Sequence, residues 1–179
     1  MNAPTEPHGG QPAPGPVVRA VESHLGSRQV ARVVYGTIIG LALIVALEAH
    51  PPSSGVVVGT LLGTAVAVGL AELYSDVLGI ETRMRRHVRG AELRHIGYDV
   101  AAVAFGIAFP VVFFILAAAH AIDEETAFTI AKWSGVGLLG FYGFSATRLA
   151  GKGLSASALT GLAAGLIGAS LIGFKALLH

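Results

Sequence analysis

Two carboxylates lie inside an otherwise apolar stretch, in the segment AELYSDVLGIETR. Glu72 and Asp76 are four residues apart, so on a helix their side chains share one face. Acids inside an apolar, membrane-crossing helix are costly and usually face a bundle interior or an aqueous cavity. Such a pair suits a proton or a hard cation, because Mg²⁺, Mn²⁺ and Fe²⁺ accept oxygen ligands. We therefore predict a cation or proton site, with metal ligands, at Glu72 and Asp76.

A structural ion pair is the alternative for these acids. Arg148, at the end of a later apolar segment, is predicted to lie at the depth needed to neutralise Glu72 or Asp76. Asp99, at the start of another apolar segment, could meet an arginine of the preceding loop. Paired in this way, the acids would connect helices and bind no ion.

The composition indicates an integral membrane protein. Hydrophobic residues make up 53% of the 179 residues, charged residues only 13%, and the mean hydropathy is +0.68. Soluble domains carry about 25% charged residues. The absence of cysteine excludes disulfides and cysteine nucleophiles. No nucleophile motif indicates an enzyme, no resident cofactor is implied, and a net charge of +1 gives no sign of a nucleic-acid partner.

Apolar runs of about 20 residues predict membrane-spanning helices. We predict a proline- and glycine-rich disordered tail at 1–16, a juxtamembrane segment at 17–32 and a transmembrane domain at 33–179. The predicted spans are 33–50, 55–79, 97–120, 127–149 and 154–177. Pro110 lies in the middle of the third span and predicts a kink there.

The basic residues predict the orientation, since cationic loops stay on the cytoplasmic side. They concentrate before the first span, between the second and third, and between the fourth and fifth: Arg19, Arg28, Arg32, Arg83, Arg85, Arg86, Arg89, Arg94, Arg148 and Lys152. The fold class is therefore an all-α five-helix bundle with a cytoplasmic N-terminus and an external C-terminus. We expect a multi-pass protein of a bacterial plasma (inner) membrane.

Small residues recur at helical spacing and predict close helix packing in the bilayer. Gly36 and Gly40 form such a stripe in the first span, and further stripes follow in the second and fifth: Gly55, Gly59, Gly63, Gly161, Gly165, Ala169 and Gly173. These faces serve either the packing of one bundle or a homodimer.

Three segments resemble the vacuolar iron transporter family. AELYSDVLGIETR is similar to the signature that closes the family's second helix, and FGIAFPVVFFIL to its proline-containing third helix. GFYGFSATRLAGKGLSASALTGLAAGLIGASLIG is similar to its fourth and fifth helices with their short basic loop. The resemblance covers about 30–178 and fits a divergent, short member that lacks the family's cytoplasmic metal-binding insert.

The resemblance implies a homodimeric, proton-coupled exporter of Fe²⁺ or Mn²⁺. Glu72 and Ser75 match the Glu and Ser of the signature, whereas Tyr35-Gly36 replaces the family's Asp-Gly pair in the first helix. On this hypothesis Tyr35, Thr37 and Glu48 line the path to the site, with Ser75 and Asp99 as further pathway residues.

The sequence leaves two functions open, and each predicts a different arrangement of arginines around Glu72 and Asp76. Acids that converge across a two-fold axis without an arginine partner would favour a metal-cation transporter. An arginine within salt-bridge distance of both Glu72 and Asp76 would favour a non-transporting membrane protein that keeps the fold and binds lipid or a protein partner.

Overall fold

The computed structural model describes residues 27–178, with side chains for 29–173, and within this range every regular element is an α-helix. The predicted tail 1–16 and most of the juxtamembrane segment lie outside the described residues. The six helices are α1 (Ser27–Leu47), α2 (Ser54–Met84), α3 (Gly90–Ala108), α4 (Val111–Ala118), α5 (Glu124–Leu149) and α6 (Leu154–Leu178).

Three of these helices, α1, α2 and α6, are long and apolar enough to cross a membrane, and α3 and α4 together make a bent fourth candidate. The all-helical membrane architecture predicted from the sequence therefore agrees with the described residues. Helix α5 has sufficient length, but Lys132 and many glycine, serine and threonine residues interrupt its apolar sequence.

Helices α1 and α2 form an antiparallel hairpin around Pro51-Pro52. Proline cannot continue a helix, and α1 ends at Leu47, three residues before the predicted end of the first span. Helix α2 continues to Met84, five residues past the predicted span, and ends where Arg85 adopts a left-handed φ of 50°.

The third predicted span is broken at Pro110, where α3 and α4 meet at 45°. A proline ring clashes with the carbonyl four residues earlier and removes one backbone hydrogen bond. The kink predicted from the sequence is confirmed.

The glycines of α1 allow it to cross α3 in backbone contact. A Cβ added to Gly106 of α3 would lie 2.5 Å from the carbonyl oxygen of Val33, and one at Gly40 would lie 3.1 Å from the Cα of Ile107. A similar contact joins α5 and α6, where a Cβ at Gly161 would lie 2.8 Å from the carbonyl oxygen of Gly140. These stripes therefore serve internal packing.

Three glycines in the first half of α2 have no such neighbours. A Cβ at Gly55, Gly59 or Gly63 would meet nothing within 4 Å among the described residues. Val66 and Leu70 beside them are 62% exposed. One face of α2 is therefore apolar, smooth and open.

The largest hydrophobic core lies in the half of the bundle near the α1–α2 turn. Ile44, Leu61, Phe114 and Phe128 pack there, each at most 2% exposed, together with small residues of α4 and α5. The rings of Phe114 and Phe128 are 4.8 Å apart in an edge-to-face arrangement. This end, the proline end, contrasts with the arginine-rich end formed by residues 83–94 and 148–152.

Candidate functional site

Arg32 of α1 binds both carboxylates of α2. Its Nη1 donates to Oε2 of Glu72, and its Nη2 donates to the two carboxylate oxygens of Asp76 at 3.1 and 3.3 Å. The side chains of Arg32, Glu72 and Asp76 are 23%, 20% and 30% exposed, so the cluster is largely screened from solvent. One planar guanidinium thus connects α1 to two turns of α2.

The hairpin explains why Arg32 is the partner. Arg32 lies 19 residues before Pro51, and Glu72 lies 20 residues after Pro52, so an antiparallel pairing brings them to the same depth. The predicted partner Arg148 is exposed, and its Nη1 donates to the carbonyl oxygen of Lys152, 3.2 Å away. Arg148 was predicted to neutralise Glu72 or Asp76, but the arginine that binds both acids is Arg32.

Glu72 and Asp76 are therefore both bound to one guanidinium. An arginine that reaches both acids is the arrangement expected of a structural ion pair. Among the described residues, no group of three or more His, Asp or Glu side chains lies close enough to hold a metal ion. The predicted metal site at Glu72 and Asp76 is therefore occupied by a guanidinium.

Asp99 of α3 differs from the two acids of α2. It is 3% exposed, and its Oδ1 accepts no hydrogen bond from any residue that the structure describes. Asp99 interacts electrostatically with Arg32, but it lies outside salt-bridge distance of that guanidinium. A buried polar atom without a partner is costly, and such exceptions need an explanation.

Asp99 forms part of the wall of an open crevice of about 740 Å³ between α2 and α3 at the arginine-rich end. The crevice is lined by Arg32, Ser75, Asp76, Gly79, Ile80, Arg83, Ala91, Glu92, His95, Ile96 and Asp99. Three of the predicted residues, Ser75, Asp76 and Asp99, therefore meet at one cavity.

Glu92, another residue of the crevice wall, makes a separate set of contacts with the loop before α3. Glu92 accepts two hydrogen bonds from Arg86, at 2.6 and 2.9 Å, and one from the backbone N–H of Arg89 at 2.9 Å. The side-chain hydrogen bond to Glu92 raises the pKa of Arg86 above its ordinary value. These contacts cap the first turn of α3 and leave Arg83 and His95 at the opening.

The predicted path along α1 is not formed in this arrangement. Tyr35 is 45% exposed on the outer surface, and Thr37 is buried with its hydroxyl donating to the carbonyl of Val33 in its own helix. Glu48 lies at the proline end, where it accepts a hydrogen bond from Nζ of Lys132. None of the three lines the crevice.

The proline end pairs its polar groups locally. Glu124 accepts hydrogen bonds from the backbone N–H and the hydroxyl of Ser54, both at 2.9 Å, and so caps α2. Asp123 caps α5 by accepting from the backbone N–H of Thr126 at 2.7 Å and from its hydroxyl at 2.8 Å. These two hydrogen bonds lower the pKa of Asp123 below its ordinary value of 3.8.

No protein-family model, curated protein or solved structure matches this chain. The resemblance to vacuolar iron transporters therefore stays a prediction.

Proposed function

We propose that the protein is a proton-coupled cation transporter of the membrane, with Asp99 as the residue that binds the ion. The observation that carries this proposal is a buried carboxylate with an unpartnered oxygen, in the wall of an open crevice. Ionisable groups within membrane segments are by default candidates for ion or proton pathways.

The charges around Asp99 support this role. The crevice that Asp99 lines is also lined by Arg32 of α1, which already binds Glu72 and Asp76, by Asp76 and Arg83 of α2, and by Glu92 and His95 of α3. Glu92 is engaged by Arg86. Two acids share one guanidinium, so the buried end of the crevice carries an excess of negative charge that a proton or a cation would balance.

The membrane topology is part of the proposal. We place the arginine-rich end in the cytoplasm, because retained basic loops determine orientation, and the crevice then opens inward. With α5 counted as a span and the α3–α4 pair as one, the chain crosses the membrane five times. Its N-terminus is then inside and its C-terminus outside a bacterial plasma membrane.

A homodimer is proposed from the open face of α2. Gly55, Gly59 and Gly63 give a flat stripe whose Cβ positions meet nothing among the described residues. Small residues at this spacing let membrane helices approach closely. Gly59→Leu, compared with Gly137→Leu on α5, would test it, because both positions are open. Loss of chemical cross-linking between protomers in the first variant alone is the expected result.

The identity of the cation rests on the resemblance alone. That resemblance implies Fe²⁺ or Mn²⁺ exchanged for protons, so these ions are the first to test. Arg32 occupies the two carboxylates expected to bind them, which leaves Asp99 and Ser75 as the available oxygen ligands of the crevice.

Flux in proteoliposomes tests the proposal directly. The full chain is reconstituted with a pH-sensitive dye inside, and a panel of cations that includes Mn²⁺ and Fe²⁺ is added outside. We expect at least one cation to drive proton movement, and Asp99→Asn to abolish it. Asp123→Asn is the matched control, because asparagine also caps helices well and position 123 lies at the opposite end.

The control variant should retain the flux of the unaltered protein. Proton movement that is equal in all three proteins, or absent for every cation, would contradict the proposal. Size-exclusion chromatography of each variant before reconstitution separates a loss of transport from a loss of folding.

A non-transporting membrane protein is the second candidate, and the Arg32 contacts favour it. In that case Arg32, Glu72 and Asp76 join α1 to α2, and the exposed arginines at positions 85, 89 and 94 attract anionic lipid headgroups or an acidic partner. Absence of flux, together with salt-sensitive binding of the purified protein to anionic vesicles, would support this function.

A further inference from the structure

We infer that the crevice accepts a small organic ammonium ion, whose charged group binds Asp99 and whose carbon chain lies against the apolar wall. This inference rests on the proposed function and specifies the class of its substrate. It stands on three features of the crevice: its size, its available acceptors and its division into polar and apolar surfaces.

The size of the crevice exceeds what a bare ion requires. Its volume of about 740 Å³ lies within the range of about 300–1,000 Å³ typical of sites for small organic molecules. Ile80, Ala91 and Ile96 supply an apolar wall next to the acids. A carbon chain would gain contact with these side chains, whereas a hydrated inorganic ion would not.

The available acceptors are few and fit one ammonium group. Arg32 engages Glu72 and Asp76, and Arg86 engages Glu92. In the described part of the crevice wall, the side-chain oxygens without a hydrogen bond include the carboxylate of Asp99 and the hydroxyl of Ser75. A primary ammonium has three N–H donors, whereas a hard divalent cation takes about six or more oxygen ligands.

The charges lie in an order that suits this ligand. Asp76 binds Arg32, and Asp99 interacts with Arg32 electrostatically, while Arg83 and His95 belong to the parts of α2 and α3 nearer the loop. An ammonium group is therefore attracted to the acids, and its chain extends toward the opening. A buried carboxylate that binds a cation forms a charge-assisted hydrogen bond, the stronger kind.

Calorimetric titration of the full chain in detergent tests the inference without requiring transport. The probes are n-butylammonium, its uncharged analogue 1-butanol, tetramethylammonium, which has no N–H donors, and Mn²⁺. We expect n-butylammonium to bind best and 1-butanol not to bind. Asp99→Asn should weaken n-butylammonium by about tenfold or more, and Ser75→Ala by a smaller factor, while Asp123→Asn should leave its affinity unchanged.

Ethanolamine lipids carry the same ammonium chemistry, so the titration is repeated in nanodiscs with and without phosphatidylethanolamine. Equal affinity in both identifies a soluble amine as the ligand. Weaker affinity with the lipid present identifies its headgroup as the occupant, and both results support an ammonium site.

Different experimental results would refute the ammonium site and the proposed transport function. If n-butylammonium does not bind, or binds Asp99→Asn equally well, the ammonium site is wrong, even where Mn²⁺ drives proton flux through Asp99. If n-butylammonium binds through Asp99 but no cation moves protons across liposomes, the site stands and transport is wrong. Preferred binding of Mn²⁺ that Glu72→Gln abolishes would also overturn the inference.

Discussion

The two ends of the bundle differ in how completely their charged side chains are paired. At the proline end, Lys132 binds Glu48, Glu124 caps α2, Asp123 caps α5, and a tight aromatic core lies beneath them. At the arginine-rich end, Arg32 binds both Glu72 and Asp76. Asp99 lines a crevice there and has one carboxylate oxygen without a hydrogen-bond partner.

This difference separates structural charges from candidate functional ones. Charges that are paired locally and lie above a packed core stabilise helix ends and need no further explanation. A buried acid without a partner costs stability, and its position beside an open crevice gives a reason for that cost. The acids of α2, which stand out most in the sequence, belong to the paired group.

Removal of Arg32 should have the largest effect on stability. Arg32→Met leaves Glu72 and Asp76 without their cation. Breaking a buried pair costs about 3–5 kcal/mol, and we expect about 2–3 kcal/mol here because the cluster is partly exposed. Thermal unfolding in detergent measures the loss, and Lys132→Met, which removes the lysine that binds Glu48 at the proline end, is the matched control and should lose less.

The loss of unfolding free energy in Arg32→Met should largely disappear in the triple variant that also carries Glu72→Gln and Asp76→Asn, because that variant has no acids left without a cation. An unchanged unfolding temperature in Arg32→Met, or a larger loss in Lys132→Met, would contradict the difference between the two ends.

Removal of the α2 cap should have an intermediate effect. Glu124→Ala leaves the backbone N–H and the buried hydroxyl of Ser54 without their acceptor. We expect a loss of about 1 kcal/mol, the usual cost of a helix cap, measured by the same unfolding experiment. Glu125→Ala, one residue further along the exposed first turn, is the control; equal losses in both variants would refute the cap.

At the proline end, protonation of the α5 cap by acid should have the smallest effect of the three. The folded state holds the pKa of Asp123 below its ordinary value of 3.8, so its ionised cap stabilises the protein above that pH. The stabilisation is lost as the pH falls through the lowered pKa of the folded state. The protection of the amides at the start of α5 against hydrogen exchange, corrected for the intrinsic pH dependence of the exchange rate, should therefore fall below about pH 4 in the unaltered protein, but much less in Asp123→Asn.

Much of the fold follows from hydropathy and proline position. Apolar runs predict the helices because backbone groups in lipid must satisfy one another, and Pro110 produces the bend between α3 and α4. Helix ends are less predictable, since α1 begins at Ser27 and α2 extends to Met84. The residues that these extensions add, SRQVAR at 27–32 and IETRM at 80–84, are mostly polar or charged and continue the hydrogen-bonded helix.

The site is predictable only in part, because its partners depend on which helices are neighbours. Arg148 lies at a suitable depth, but its helix α5 packs mainly against α1, α4 and α6. Arg32 could have been identified by counting residues from Pro51-Pro52, as the hairpin requires. The lack of a partner for Asp99 depends on the packing of three helices, which spacing within one helix does not reveal.

Comparison of Glu72→Gln with Asp99→Asn in the proteoliposome assay distinguishes an ion site at Asp99 from one on α2. We expect Glu72→Gln to retain most of the cation-driven proton flux, because Asp76 still binds Arg32, and Asp99→Asn to lose it. Flux that survives in Asp99→Asn but disappears in Glu72→Gln would place the ion site on α2 and refute the role of Asp99.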